Sequence, residues 1–123
     1  MPFKRVKPEE LSVNPFTVIG KDWLLITAGT EKECNTMTAS WGGLGVIWGK
    51  YAATVYIRPQ RYTKEFVDSR DLFTISFYGP KYKEALKICG SLSGRDVDKT
   101  EKAGLTPYFT DKTVCLLYTS DAA

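Results

Sequence analysis

Two polar motifs stand out from this chain. Asn35-Thr36-Met37-Thr38-Ala39-Ser40-Trp41-Gly42-Gly43 sets small hydroxyl side chains and glycines beside a flat indole. One strand-like run later, Ile57-Arg58-Pro59-Gln60-Arg61-Tyr62-Thr63 places two guanidiniums just ahead of a predicted helix start. A phosphate needs several convergent donors, because its charge is costly to bury unpaired. Arg58 and Arg61 each offer a planar fork of N–H groups, and the Tyr62 and Thr63 amides with the Thr63 hydroxyl complete an anion site. The competing reading leaves both arginines solvated, with Thr63 merely capping its helix. The first motif offers backbone hydrogen-bonding groups that small residues such as Ala39 and Ser40 let a flat ring approach. Taken alone, Trp41 reads first as a core residue, and Asn35 fits an Asx-turn as readily as a ligand contact. The two motifs together describe a ligand with a planar apolar body and an anionic tail.

Flavin mononucleotide (FMN) has that shape. The order and spacing of the motifs resemble the flavin reductase-like, FMN-binding split-barrel family. The resemblance continues through Cys89-Gly90, Ser93-Gly94-Arg95-Asp96-Val97-Asp98-Lys99 and Gly104-Leu105-Thr106-Pro107, so it runs from about Pro15 to Thr110. It implies a mainly β domain with helical insertions, an antiparallel Greek-key split β-barrel that binds FMN without a covalent bond, commonly as a homodimer. The implied cofactor-binding residues are Thr36, Met37, Thr38, Ala39, Ser40, Trp41, Arg58, Arg61, Tyr62 and Thr63. Arg95 and Lys99 of the third block join them, placed to attract the charge of reduced flavin or the phosphates of NAD(P)H. On the residues alone, Asp96 reads equally well as a helix N-cap and Arg95 as a surface cation.

The last nine residues, Cys115 to Ala123, match the conceptual translation of a transposon-end sequencing adapter. This reading sets residues 1–114 as a partial flavin reductase-like FMN-binding domain, incomplete at the C-terminus, and residues 115–123 as adapter-derived. An ordinary strand from Val114 to Tyr118 is the plainer alternative.

Composition narrows the chemistry. With 123 residues, 43% hydrophobic and 25% charged, the chain suits one globular domain. A net charge of +3 is too small and too scattered to indicate nucleic acid. No run approaches the roughly 18 apolar residues of a membrane span, and Met1-Pro2-Phe3-Lys4-Arg5 lacks a signal-peptide core, so a cytoplasmic protein without membrane contact is expected. Cys34, Cys89 and Cys115 form no CxxC pair, which suits a reducing compartment. Histidine is absent, which excludes a Ser-His-Asp triad and a His-zinc centre. No metal site and no protein catalytic acid or base is expected, and the chemistry falls to the bound flavin.

The elements that must position these motifs are short. Apolar runs at 15–20 and 23–28, separated by Lys21-Asp22, predict a hairpin. Alternation over 35–41 puts Thr36, Thr38 and Ser40 on one strand face, with Met37, Ala39 and Trp41 on the other. Gly42, Gly43 and Gly45 predict a turn or bulge, followed by strands at 46–48 and 52–57. Helices are predicted from Thr63, with Tyr62 and Phe66 on one face, from 81 to 88, and from 96 to 103 with Gly104 as its stop. A strand at 73–78 separates the first two, and Cys89 falls at helical spacing from Tyr82 and Leu86 as an inert buried thiol.

The functional expectation is an NAD(P)H-dependent flavin reductase carrying hydride from nicotinamide to flavin, with free flavin, a metal complex or a redox partner protein as acceptor. The alternatives are a flavoredoxin-like FMN electron carrier that handles nicotinamide poorly, and a fragment too short to bind flavin.

Overall fold

The computed structural model describes residues 4–110 and 113–118, with the side chains of 115–118 left aside. At its centre lies an antiparallel three-stranded sheet in the order β2 (Cys34–Ala39), β1 (Leu24–Gly29) and β5 (Thr74–Ser76). β1 is the middle strand and every one of its residues is buried. Its two faces serve separate cores. Leu25 packs with Ala85, Leu86 and Cys89 of helix α3 (Lys83–Ser91) and with Leu105. Leu24 and Ile26 pack with Met37, Ala39 and Ile19. The predicted alternation is seen: Met37 and Ala39 enter the second core, whereas Thr36 pairs in register with Thr27 and Thr38 with Leu25.

Helix α1 (Pro15–Gly20) replaces the first half of the predicted hairpin. The Asn14 side chain accepts the Phe16 N–H at 3.0 Å, and Pro15 takes the first helical position, where its missing N–H costs nothing. This start signal outweighed the apolar run. Ile19 is buried, while Phe16 points outward at 86% exposure.

β3 (Gly42–Ile47) and β4 (Lys50–Val55) form a second, two-stranded sheet. Gly42 and Gly43 therefore belong to a strand instead of the predicted turn. The reversal falls at Trp48-Gly49, with φ of 50° and 70°, the two successive positive values that a tight hairpin turn demands. β6 (Leu105–Phe109) and β7 (Val114–Tyr118) form a third pair, in register from Leu105↔Tyr118 to Phe109↔Val114. A strand over 114–118 is compatible with either origin of those residues, and 119–123 lie outside the described residues. The described strands form three separate antiparallel sheets and close no barrel.

α2 spans Thr63–Asp68 and is only six residues long. α4 spans Lys99–Lys102, shorter than predicted. Asp98, not Asp96, is its N-cap, accepting the Glu101 N–H at 3.2 Å. Among the described residues no helix is long and apolar enough to cross a membrane.

Candidate functional site

The end of β2 and the segment after β4 meet at one open cleft of about 170 Å³. From the first motif come Met37, Thr38, Ala39, Ser40 and Trp41; from the second come Arg58 and Arg61. A turn fixes the arginines: the Arg61 N–H donates to the Arg58 carbonyl at 3.1 Å, with Pro59 at the position where its locked φ suits such a turn. Both side chains therefore leave the same short loop. Burial, and then the neighbouring Arg58, hold the Arg61 guanidinium below its ordinary range. Neither arginine has an ion pair among the described residues, where the salt bridges are Lys64–Asp68, Lys87–Glu84 and Arg95–Glu65. Two adjacent cations, one of them half-buried, without a carboxylate between them, make a receptor for an anion.

Trp41 is 59% exposed, which overturns the expectation that it belongs to the core. Its indole stands at the cleft beside Tyr56, itself 58% exposed. Tyr56 was missed in the sequence; its signal is the period of two, which puts it on the same side of an extended segment as Arg58.

The threonine hydroxyls of the first motif turn inward. Thr36 is fully buried; its Oγ1 donates to the Ile26 carbonyl at 3.1 Å and lies 2.9 Å from Thr27 Oγ1. Thr38 donates to the Leu86 carbonyl of α3. Thr63 is fully buried as well, and its Oγ1 accepts Asn35 Nδ2 at 2.8 Å. Asn35 thus makes a buried link between β2 and α2, in place of an Asx-turn. Tyr62 is half-buried, its ring edge-on to Phe66 at 5.0 Å between centroids.

The third block lies elsewhere. Arg95 and Lys99 line a second cavity of about 440 Å³ together with Cys34 and Asn35. Arg95 pairs with Glu65 and stacks 4.4 Å from the centroid of Tyr62. Lys99 is only 3% exposed, and its Nζ donates to the Cys89 and Leu92 carbonyls at 3.0 and 3.2 Å, capping the C-terminus of α3. Burial pushes its ammonium down to about 8, aided by the Arg61 cation and opposed by Cys89. Cys89 is fully buried, its thiol pushed up to about 11 by burial, in keeping with an inert core residue. The structure therefore gathers Met37 to Trp41, Arg58 and Arg61 at one cleft, seats Thr36 and Thr63 in the interior, and puts Arg95 and Lys99 at another cavity.

No protein-family model matches the chain, and no curated protein matches it. Solved structures share its fold. The chain is similar to an FMN-binding domain of a flavin reductases-like enzyme from Shewanella baltica OS155, with a TM-score of 0.69 and 18% identity over 83% of this chain and 55% of that one. It is also similar to the flavoredoxin of Desulfovibrio vulgaris (Miyazaki F), with a TM-score of 0.66 and 21% identity over 92% of this chain and 61% of that one. The chain spans less than two thirds of either neighbour, and the likeness is one of fold: antiparallel sheets with a few helices.

Proposed function

We propose that this chain is an FMN-binding oxidoreductase of the flavin reductase-like split-barrel type, acting as an NAD(P)H-dependent flavin reductase. One observation carries the reading: two separate motifs meet at a single cleft, which is lined both by an exposed tryptophan and by two arginines that have no ion pair among the described residues. The fold neighbours, one an FMN-binding domain and one a flavoredoxin, support it. The residues fit the cofactor. Arg58 and Arg61 would hold the phosphate, and the backbone of Ala39 and Ser40 with Trp41 and Tyr56 would border the ring. Bound FMN supplies hydride and electron transfer between nicotinamide and an acceptor. The chain's part is to fix the cofactor's position and to offset its charge, which needs no histidine.

A specific observation favours the second reading, a flavoredoxin-like electron carrier. Arg95 and Lys99, the cations expected to draw NAD(P)H, are engaged with Glu65 and with main-chain carbonyls. Anaerobic mixing of the FMN-loaded chain with NADH or NADPH separates the two. Rapid bleaching supports the reductase, and bleaching only by dithionite supports the carrier. Failure of the chain to bind FMN at all refutes both. The homodimer belongs to the same proposal: Val46, Ile47 and Trp48 of the hairpin are 67%, 61% and 95% exposed, apolar surface on a projecting hairpin for a second copy to cover. Gel filtration at the mass of one chain refutes it.

A further inference from the structure

The third block contributes no residue to the lining of the cleft, yet its glycine stands against the link that connects the other two motifs. An ideal Cβ built on Gly94 falls 2.0 Å from Asn35 Oδ1, 2.9 Å from Asn35 Cγ and 3.3 Å from Tyr62 Cδ2. No side chain fits there without moving the Asn35 amide. That amide has little freedom: Asn35 is 6% exposed, and its Nδ2 is committed to Thr63 Oγ1 at 2.8 Å. Thr63 is fully buried, follows Tyr62 directly, and begins the helix that continues the Arg58–Arg61 turn. From the other side, Arg95 lies over the Tyr62 ring. Three segments far apart in sequence therefore meet at one amide, and only a residue without a Cβ lets the third close on it.

We propose that Gly94 and Asn35 are positioning residues for the anion end of the cleft, setting where Arg61 stands through Thr63 and Tyr62 without touching the ligand. The inference rests on the FMN reading and asks how the phosphate end of that site is held in place. Displacing the amide moves the start of α2 and the turn before it, while Ala39, Ser40 and Trp41 lie at and beyond the opposite end of β2 from Asn35.

FMN and riboflavin share a ring and differ in the phosphate, so their affinity ratio isolates the anion end. Fluorescence titration of the full chain with each ligand should show wild type preferring FMN. Gly94→Ala should lower that preference about tenfold or more, the scale of one charge-assisted hydrogen bond, with riboflavin affinity nearly unchanged. Asn35→Ala should lower it as well, whether or not Gly94→Ala folds. Adding Gly94→Ala to Asn35→Ala should cost much less than Gly94→Ala does alone, because the obstructing amide is gone and only the 3.3 Å approach to Tyr62 Cδ2 is left. An unchanged ratio in both single variants overturns the inference, as does an equal loss of both ligands or multiplied losses in the double variant. A wild type that binds neither ligand overturns the FMN reading itself.

Discussion

The Arg58–Arg61 pair makes a prediction with two signs. Without an anion the pair is a liability: Arg61 is half-buried beside a like charge, and its guanidinium is held below the ordinary range by that burial first and by Arg58 second. Under the proposed FMN site the same two cations would face a phosphate. Replacing both, Arg58→Ala with Arg61→Ala, should therefore weaken binding and leave the free protein as stable as before or more so. Each guanidinium lost removes at least one charge-assisted hydrogen bond, at about 1.5–3 kcal/mol. The pair together should cost about 3 kcal/mol or more, a loss of more than about a hundredfold in Kd. Titration with FMN by fluorescence quenching reads the first effect, and urea unfolding of the apoprotein reads the second. Riboflavin affinity should barely change. An FMN affinity within a factor of about three of wild type would refute the anion site. A large drop in apoprotein stability would refute the claim that the pair lacks a partner in the protein.

The remaining predictions concern the scaffold. Thr36→Val keeps the volume but removes the hydroxyl from Ile26 and Thr27, so unfolding free energy should fall by about 1–2 kcal/mol with riboflavin affinity unchanged; a fall in that affinity instead would place Thr36 at the ligand. Lys99, down to about 8 from an ordinary 10.5, binds fewer protons in the native state between those values, so stability should rise by about 1 kcal/mol from pH 8 to 9. Above pH 9 the raised Cys89 thiol, about 11 against 9.0, works in the opposite sense and levels the curve, so Cys89→Ala should let stability climb on towards pH 10.5; denaturant titrations at pH 8, 9 and 10 check both. Asn14→Ala removes the α1 cap and should cost about 1 kcal/mol, read as a lowered urea midpoint.

What the sequence disclosed was local. The alternation over 35–39 places Met37 and Ala39 in one core, and the spacing of Leu86 and Cys89 places them in the other. Asn14-Pro15 is an equally local signal, although the apolar run after it suits a strand as well as a helix. Its consequence is a helix closed by Lys21 N–H donating to the Thr17 carbonyl, with Trp23 at φ 69° turning the chain into β1. The hidden features were those decided by distance along the chain. Asn35 meets Thr63 across 28 positions, and nothing in the spacing of either residue announces it. Lys99 reads in the sequence as a cation for reduced flavin or for the phosphates of NAD(P)H, yet it is buried with its ammonium on two carbonyls that the end of α3 leaves open. Trp41 erred the other way, because its exposure depends on β3 leaving the central sheet to pair with β4 alone.

These corrections change how the hydroxyl-rich motif contributes to binding. Thr36 and Thr38 spend their side chains inward, on a strand carbonyl and on the α3 carbonyl of Leu86, so they bolt β2 to its neighbours. Thr63 does the same for α2 through Asn35. The cleft is lined by Met37 to Ser40 of the first motif, two aromatic residues and two arginines. Such a site gains selectivity from rigidity more than from a count of polar side chains, since immobilised groups lose little entropy when a ligand arrives. Threonines conspicuous in the sequence thus brace the elements around the cleft, and the residues that line it include an exposed tyrosine with no motif to announce it.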